Sequence, residues 1–243
     1  MASKHVGKVK KERAPAKQAR GRGRPRTIDD SVDRRDLILN AAETLFSLHG
    51  FHGVTVREVA EESGVDPGLL TYYFDSKRGL FDAVLTRRAE VVNAKRLMTM
   101  ARYESNARTL SVEGCLQAFF EPVLDYWEKG GDGWRSYLRL IALVNNTPAW
   151  GGNTMTQYFD PVVQKLIELL RKALPNARDE DLYWGYHFVS GALSLSFAET
   201  GRIDQLSDSL CLSSDVGAIR KRLAPFLAVG FMELTRRAAR DRK

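Results

Sequence analysis

The sequence predicts an all-α fold, and three observations carry that expectation. Apolar residues recur at helical spacing through most of the chain. The recurrences are opened and closed by capping residues, and no stretch alternates apolar and polar residues between turn signals. With 243 residues, 44% of them hydrophobic and 28% charged, the chain is long enough for one small and one medium-sized domain.

Residues 1–31 hold Lys, Arg, Gly and Pro but almost no large apolar side chains, so they are expected to form a disordered arm. Between Lys4 and Arg26 ten basic residues face one acid, Glu12, so this arm outweighs the whole net charge of +7. Within it, Gly21-Arg22-Gly23-Arg24-Pro25-Arg26 is similar to the core of an AT-hook. Glycine lets the backbone lie close to a groove floor, and Arg22 and Arg24 suit a narrow minor groove. A generic solvated basic tail is the plain alternative.

Residues 32–85 predict a small domain of short helices. Leu37, Ala41, Leu45 and Leu48 recur at i, i+4, i+8 and i+11, with Asp33 as N-cap, Asp36 at the positive end of the dipole and Gly50 as the stop. Thr55 and Glu58 make a capping box for the next helix, with Val54 and Val59 as its hydrophobic staple. Gly64 ends it. Asp66 caps a third helix with Pro67 in its first turn, and Asp75-Ser76 opens a fourth that carries Leu80, Val84 and Leu85.

Two short helices joined through Gly64 read as a helix-turn-helix, whose second helix enters a DNA major groove. Leu70 and Phe74 are expected to anchor that helix against Phe46, Val56, Val59 and Ala60. Asp66, Pro67, Gly68, Leu69, Thr71, Tyr72 and Tyr73 are expected to face outward. Leu69 and Thr71 can touch thymine methyls, and tyrosine hydroxyls can reach phosphates. Thr55 and Ser76 cap helices whose free amides suit a phosphate, and Lys77 adds a positive charge beside them.

The run from LFSLHGFHGVTV through REVAEESGV to DPGLLTYYFDSK closely resembles the DNA-binding domain of TetR-family transcriptional regulators. The resemblance implies a homodimeric repressor that leaves a double-stranded DNA operator when a small ligand binds its C-terminal domain. It also places Thr55, Gly68, Leu69, Thr71, Tyr72, Tyr73 and Lys77 where family members touch DNA. Many relatives carry Tyr at the position of Thr71, which shifts the expected phosphate contact toward Tyr72 and Tyr73.

Residues 86–243 predict longer amphipathic helices for an effector-binding and dimerisation domain. Their stripes are Val112, Leu116, Phe119, Val123 (with a kink expected at Pro122); Trp134, Leu138, Ile141, Val144; Met155, Phe159, Val162, Leu166, Leu170; one helix over 179–200; and one over 216–237, broken or started at Pro225. SYLRLIALVNN, YFDPVVQKLIELLRKALP and DEDLYWGYHFVSGAL resemble the fatty-acid-responsive PsrA-like branch, which implies an apolar effector, a fatty acid or acyl thioester. Trp134, Tyr137, Arg139, Met155, Phe159, Trp184 and His187 are the candidate pocket residues, with Arg139 or His187 to receive an anionic head. The helix over 179–200 is apolar on two sides, and the resemblance pairs it and the last helix with their copies across a two-fold axis in a four-helix interface; a core helix of a single chain is the alternative.

Other classes of function find little in the sequence. Cys115 and Cys211 lack metal-ligand spacing and the four histidines are scattered, so no metal or cofactor is expected. No GxSxG or phosphate-binding loop points to an enzyme. No apolar run approaches the ~20 residues of a membrane span, and a reduced, cytoplasmic setting is expected. An architectural protein that binds A·T-rich DNA without an effector is the alternative reading.

Overall fold

The structure, a computed structural model, describes residues 28–240, with side chains described for 34–148 and 155–236. All the regular elements among the described residues are helical. They run α1 (Ile28–His49), α2 (Val56–Ser63), α3 (Pro67–Phe74), α4 (Lys77–Asn106), α5 (Val112–Lys129), α6 (Asp132–Asn145), α7 (Pro148–Ala173), α8 (Asp179–Ala198), α9 (Arg202–Leu206) and α10 (Val216–Arg240). The hook-like run with Arg22 and Arg24 lies outside the described residues.

The capping chemistry forms as read. Thr55 accepts from the Glu58 amide while the Glu58 carboxylate takes the Thr55 amide at 2.6 Å. Gly64 ends α2 at φ 67°, a left-handed conformation that costs glycine least. Asp66 accepts from the Gly68 amide at 2.8 Å and Pro67 opens α3, where its missing N–H leaves nothing unpaired. Ser76 caps α4 through the Gly79 amide.

Four expectations are corrected. The first helix begins at Ile28, not after Asp33. The boundary drawn after residue 85 falls inside α4, which continues for 30 residues to Asn106, about 45 Å. α10 runs through Pro225 where a break or start was expected, and α5 likewise holds Pro122 within it. Each proline removes one backbone donor, and the packing of α5 against α4 and α10 outweighs that loss. Finally, α9 is an additional short helix that no periodic pattern announced.

One buried cluster joins both parts of the molecule. Phe46, Val59, Leu70, Phe74 and Phe81 fill the small N-terminal part, while Leu116, Phe119, Trp127, Leu140 and Leu166 fill the larger one. α4 belongs to both, and α6 packs against α1. The two parts are therefore mechanically connected by a helix and by a direct contact.

Candidate functional site

α3 is held by a narrow apolar seam. Leu70 and Phe74 are buried beside Phe46, Val59 and Ala60. Asp66, Pro67, Gly68, Thr71 and Tyr72 are exposed, and Tyr72 is the extreme at 79%. Leu69 and Tyr73 differ from the expectation: both are half-buried and packed against the core. A helix turns 100° per residue, so positions 69 and 73 flank the 70/74 seam and share its cover. The Tyr73 ring still lies 5.2 Å from the Tyr72 ring.

The neighbouring cap residues are partly committed. The Thr55 hydroxyl donates to the Glu58 carboxylate at 2.8 Å. Hydrogen bonds from the Thr55 amide, then from its hydroxyl, hold the Glu58 carboxyl below the usual carboxylate range. Lys77 sits over the Phe51 ring, 4.4 Å from its centroid, half-buried at the start of α4. Ser76 and Lys77 border the same surface as α3, since Ser76 follows it by two residues.

Behind this head lies an ion cluster that the sequence did not announce. Glu43 of α1, 1% exposed, takes two bonds from Arg88 of α4 at 2.7 and 2.8 Å and one from Arg87 at 3.1 Å. The Arg88 guanidinium lies 4.9 Å over the ring of Trp134 in α6. Gly133 makes room for this pairing, because a Cβ there would come within 2.3 Å of the Arg88 Nη2. Three helices therefore meet on one carboxylate shared by two guanidinium groups.

The larger part encloses a cavity of about 50 Å³ walled by α4, α5, α6, α7 and α8. Tyr137, Met155 and Phe159, three of the pocket candidates, line it. The other four pocket candidates lie elsewhere. Trp134 stacks on Tyr126 at 3.9 Å and faces Arg88. Arg139 is bonded to Glu199, a buried carboxylate that also takes the Trp127 indole N–H at 3.1 Å. A paired guanidinium is not free for a ligand head. Trp184 and His187 are exposed on the opposite side of α8, because Tyr186, Ser190, Leu193 and Phe197 hold its cavity side.

The cation that does reach the cavity is Arg96 of α4, 6% exposed. Its Nε donates to the Phe119 carbonyl at 3.2 Å and its guanidinium lies 4.2 Å over the Phe119 ring. Desolvation lowers its pKa to about 10, so it is charged at neutral pH. The Tyr137 hydroxyl, also on the cavity wall, has no hydrogen-bond partner among the described residues. Burial pushes the Tyr137 phenol well up, so it keeps its proton.

A second surface is bare. Trp184, Phe188 and Leu195 of α8 and Phe226, Val229 and Met232 of α10 are exposed large apolar residues on two helices that pack together. Elsewhere, Cys115 and Cys211 are free thiols, and burial raises the Cys115 thiol to about 11. Among the described residues no cluster of His, Cys, Asp and Glu could hold a metal ion, and no helix is long and apolar enough to cross a membrane.

Known proteins share both parts. The family model described as bacterial regulatory proteins, tetR family, matches residues 38–84, and the model described as tetracyclin repressor-like, C-terminal domain, matches residues 117–230. The biofilm operon icaADBC HTH-type negative transcriptional regulator IcaR of Staphylococcus aureus is 28% identical over 147 residues, 60% of this chain and 70% of IcaR. A TetR-like transcriptional regulator from Rhodococcus sp. RHA1 superposes with a TM-score of 0.55 at 20% identity, over 80% of this chain and 93% of that one. The fatty acid degradation regulator FadR from Bacillus halodurans gives 0.57 at 17% identity, over 80% and 94%. These two likenesses carry the fold, an all-α head and body. With one family model on the helix-turn-helix of α1 to α4 and the other on the helices from α5 to α10, the chain belongs to the TetR family of transcriptional regulators.

Proposed function

We propose that this chain is a homodimeric repressor that reads an operator through α3 and releases it when a small apolar effector, a fatty acid or acyl thioester, enters the cavity. The observation that carries the reading is the outward side of α3. A helix of eight residues with three aromatic rings and two leucines is held here by the burial of Leu70 and Phe74, yet Tyr72 is left in solvent. DNA is the partner that such a side fits. Asp66 to Thr71 lie at the helix N-terminus, where base edges are reached, and Tyr72, Tyr73, Ser76 and Lys77 lie where phosphates run.

The bare side of α8 and α10 supports the dimer, since contiguous exposed apolar surface marks an interaction site. A two-fold dimer presents two α3 helices to half-sites about 34 Å apart, so the operator is expected to be roughly palindromic. The cavity supports an effector. Its size is well below the ~300–1,000 Å³ of ligand pockets, so an entering molecule has to part the walls. α6 is one of those walls through Tyr137, and through Trp134 and Gly133 it also bears on Glu43 and Arg88. A ligand that favours the displaced α6 thereby disfavours the DNA-competent setting of α1 and α4, in proportion to its differential affinity. The likeness to the FadR fold is consistent with an acyl effector.

Selection of bound duplexes from a random pool, repeated with acyl ligands, tests the reading. A regulator prefers its site over random duplex by ~10³ or more. A ratio near one would instead support an architectural protein that binds A·T-rich DNA. A selected site that no acyl ligand displaces would remove the effector and leave the DNA reading.

A further inference from the structure

We propose that the cavity takes a free carboxylic acid, with the carboxylate held by Arg96 and the Tyr137 hydroxyl, rather than the corresponding thioester. The inference rests on the reading that this domain binds an effector, and it assigns the chemistry of the effector's head.

The observation is a charge with nothing to balance it. Among the described residues no carboxylate lies within ion-pair distance of Arg96, although the molecule has many ion pairs elsewhere. A guanidinium carries five N–H donors, and among the described residues only Nε has a protein acceptor, the Phe119 carbonyl. The groups on Nη1 and Nη2 are left for the cavity that Arg96 lines. A buried cation without an anion is costly, and an apolar side chain of similar volume is the more stable occupant. The Glu43–Arg88 pair and the Glu199–Arg139 pair show the ordinary solution in this same molecule.

Tyr137 repeats the pattern. Its side chain is almost wholly buried on the wall of the same cavity, and its hydroxyl has no hydrogen-bond partner among the described residues. A forked cation plus one neutral donor matches the two oxygens of a carboxylate, since a carboxylate accepts several bonds at once. The remaining wall is mostly apolar, with Val92, Phe159, Val163 and Leu193 to face an alkyl chain, and its polar members Asn145, Ser190 and Ser194 are bonded to one another. A thioester has no charge at its carbonyl, and its bulky polar group would have to occupy the space around Arg96. The orientation therefore places the acid inward and the hydrocarbon along α7 and α8.

The full chain, free and bound to its selected operator, is titrated with straight-chain carboxylates of increasing length. Primary alcohols, methyl esters and coenzyme A thioesters of the same chains are run beside them. Carboxylates are expected to raise Tm and release DNA, with the uncharged and thioester forms weaker by about tenfold or more. Arg96→Met is expected to lower carboxylate affinity about 30-fold and abolish the preference over alcohols, while the ligand-free protein keeps or gains thermal stability. Tyr137→Phe, which deletes one oxygen, is expected to weaken carboxylates several-fold.

Thioesters or esters that bind as tightly as acids would overturn the head assignment and leave the effector reading standing. Silence from every acyl probe would overturn both. A variant Arg96→Met that loses stability and keeps the carboxylate preference would make Arg96 a structural residue, and Tyr137→Phe decides the matter should that variant not fold.

Discussion

α3 and α8 both carry more apolar surface than their own chain covers, and they differ in what interrupts it. The outward side of α3 is broken by Asp66, Gly68 and Thr71 and ends in the phenols of Tyr72 and Tyr73. The outward side of α8 runs Trp184, Phe188, Gly191, Leu195 with few groups that can hydrogen-bond. Hydroxyls, a small residue and an amide-rich helix start suit a partner made of phosphates and base edges. Bare aromatic and aliphatic groups suit another protein surface, where the core of an interface is depleted in charge. Exposure of apolar surface says that something covers a helix, and the polar residues between say what.

The comparison can be broken most severely at α8. Phe188→Glu is expected to cost about 2–4 kcal/mol of association, giving monomers in sedimentation and loss of operator binding with them. A dimer that survives would move the interface away from α8. Tyr72→Ala tests α3: a loss of about 1–3 kcal/mol of operator affinity is expected, with oligomeric state and Tm unchanged. A fall in Tm of matching size would make Tyr72 structural. Deleting residues 1–27 should flatten the dependence of log K on log salt by about 0.9 for each phosphate that the arm neutralises. An unchanged slope would make the arm a bystander.

The smallest effect separates a cap from a contact. Thr55→Ala is expected to cost about 1 kcal/mol of stability, measured by denaturation, because its hydroxyl is already engaged by Glu58. The effect carries a pH signature. The Glu58 carboxyl is depressed in the folded state, so its stabilisation is complete above the ordinary carboxylate value and is lost as pH falls through the folded one. The difference between the native chain and Glu58→Gln should therefore shrink as pH falls below the ordinary carboxylate value.

Much of the head was legible before any coordinates. Thr55 with Glu58, Asp66 with Pro67, and Gly64 each act on backbone groups within four residues, so a short window contains both partners. The cavity wall was legible only in part. Tyr137, Met155 and Phe159 were found by type, whereas Trp184 and His187 were misplaced because a helix apolar on two sides does not reveal which side is inside. Arg96 was missed, and a signal existed. It falls in the buried series Leu85, Ala89, Val92, Arg96, Met100, a charge where an apolar residue was due. Glu43 offered the same signal between Leu39 and Phe46.

What the sequence by itself determined is the all-α character, the caps of α2, α3 and α4, and the presence of an α3 with a polar, tyrosine-bearing outer side. Those follow from hydrogen bonds and side-chain spacings that close within one or two turns. Only the tertiary structure decided that Arg139 is taken by Glu199, that Glu43 joins α1 to α4 beneath α6, and that Arg96 stands in a cavity without a counter-ion. Their nearest partners lie more than twenty residues away in sequence, 60 for Arg139 and Glu199 and 45 for Glu43 and Arg88. Pairing at that separation is set by how whole helices pack, and no local pattern contains it.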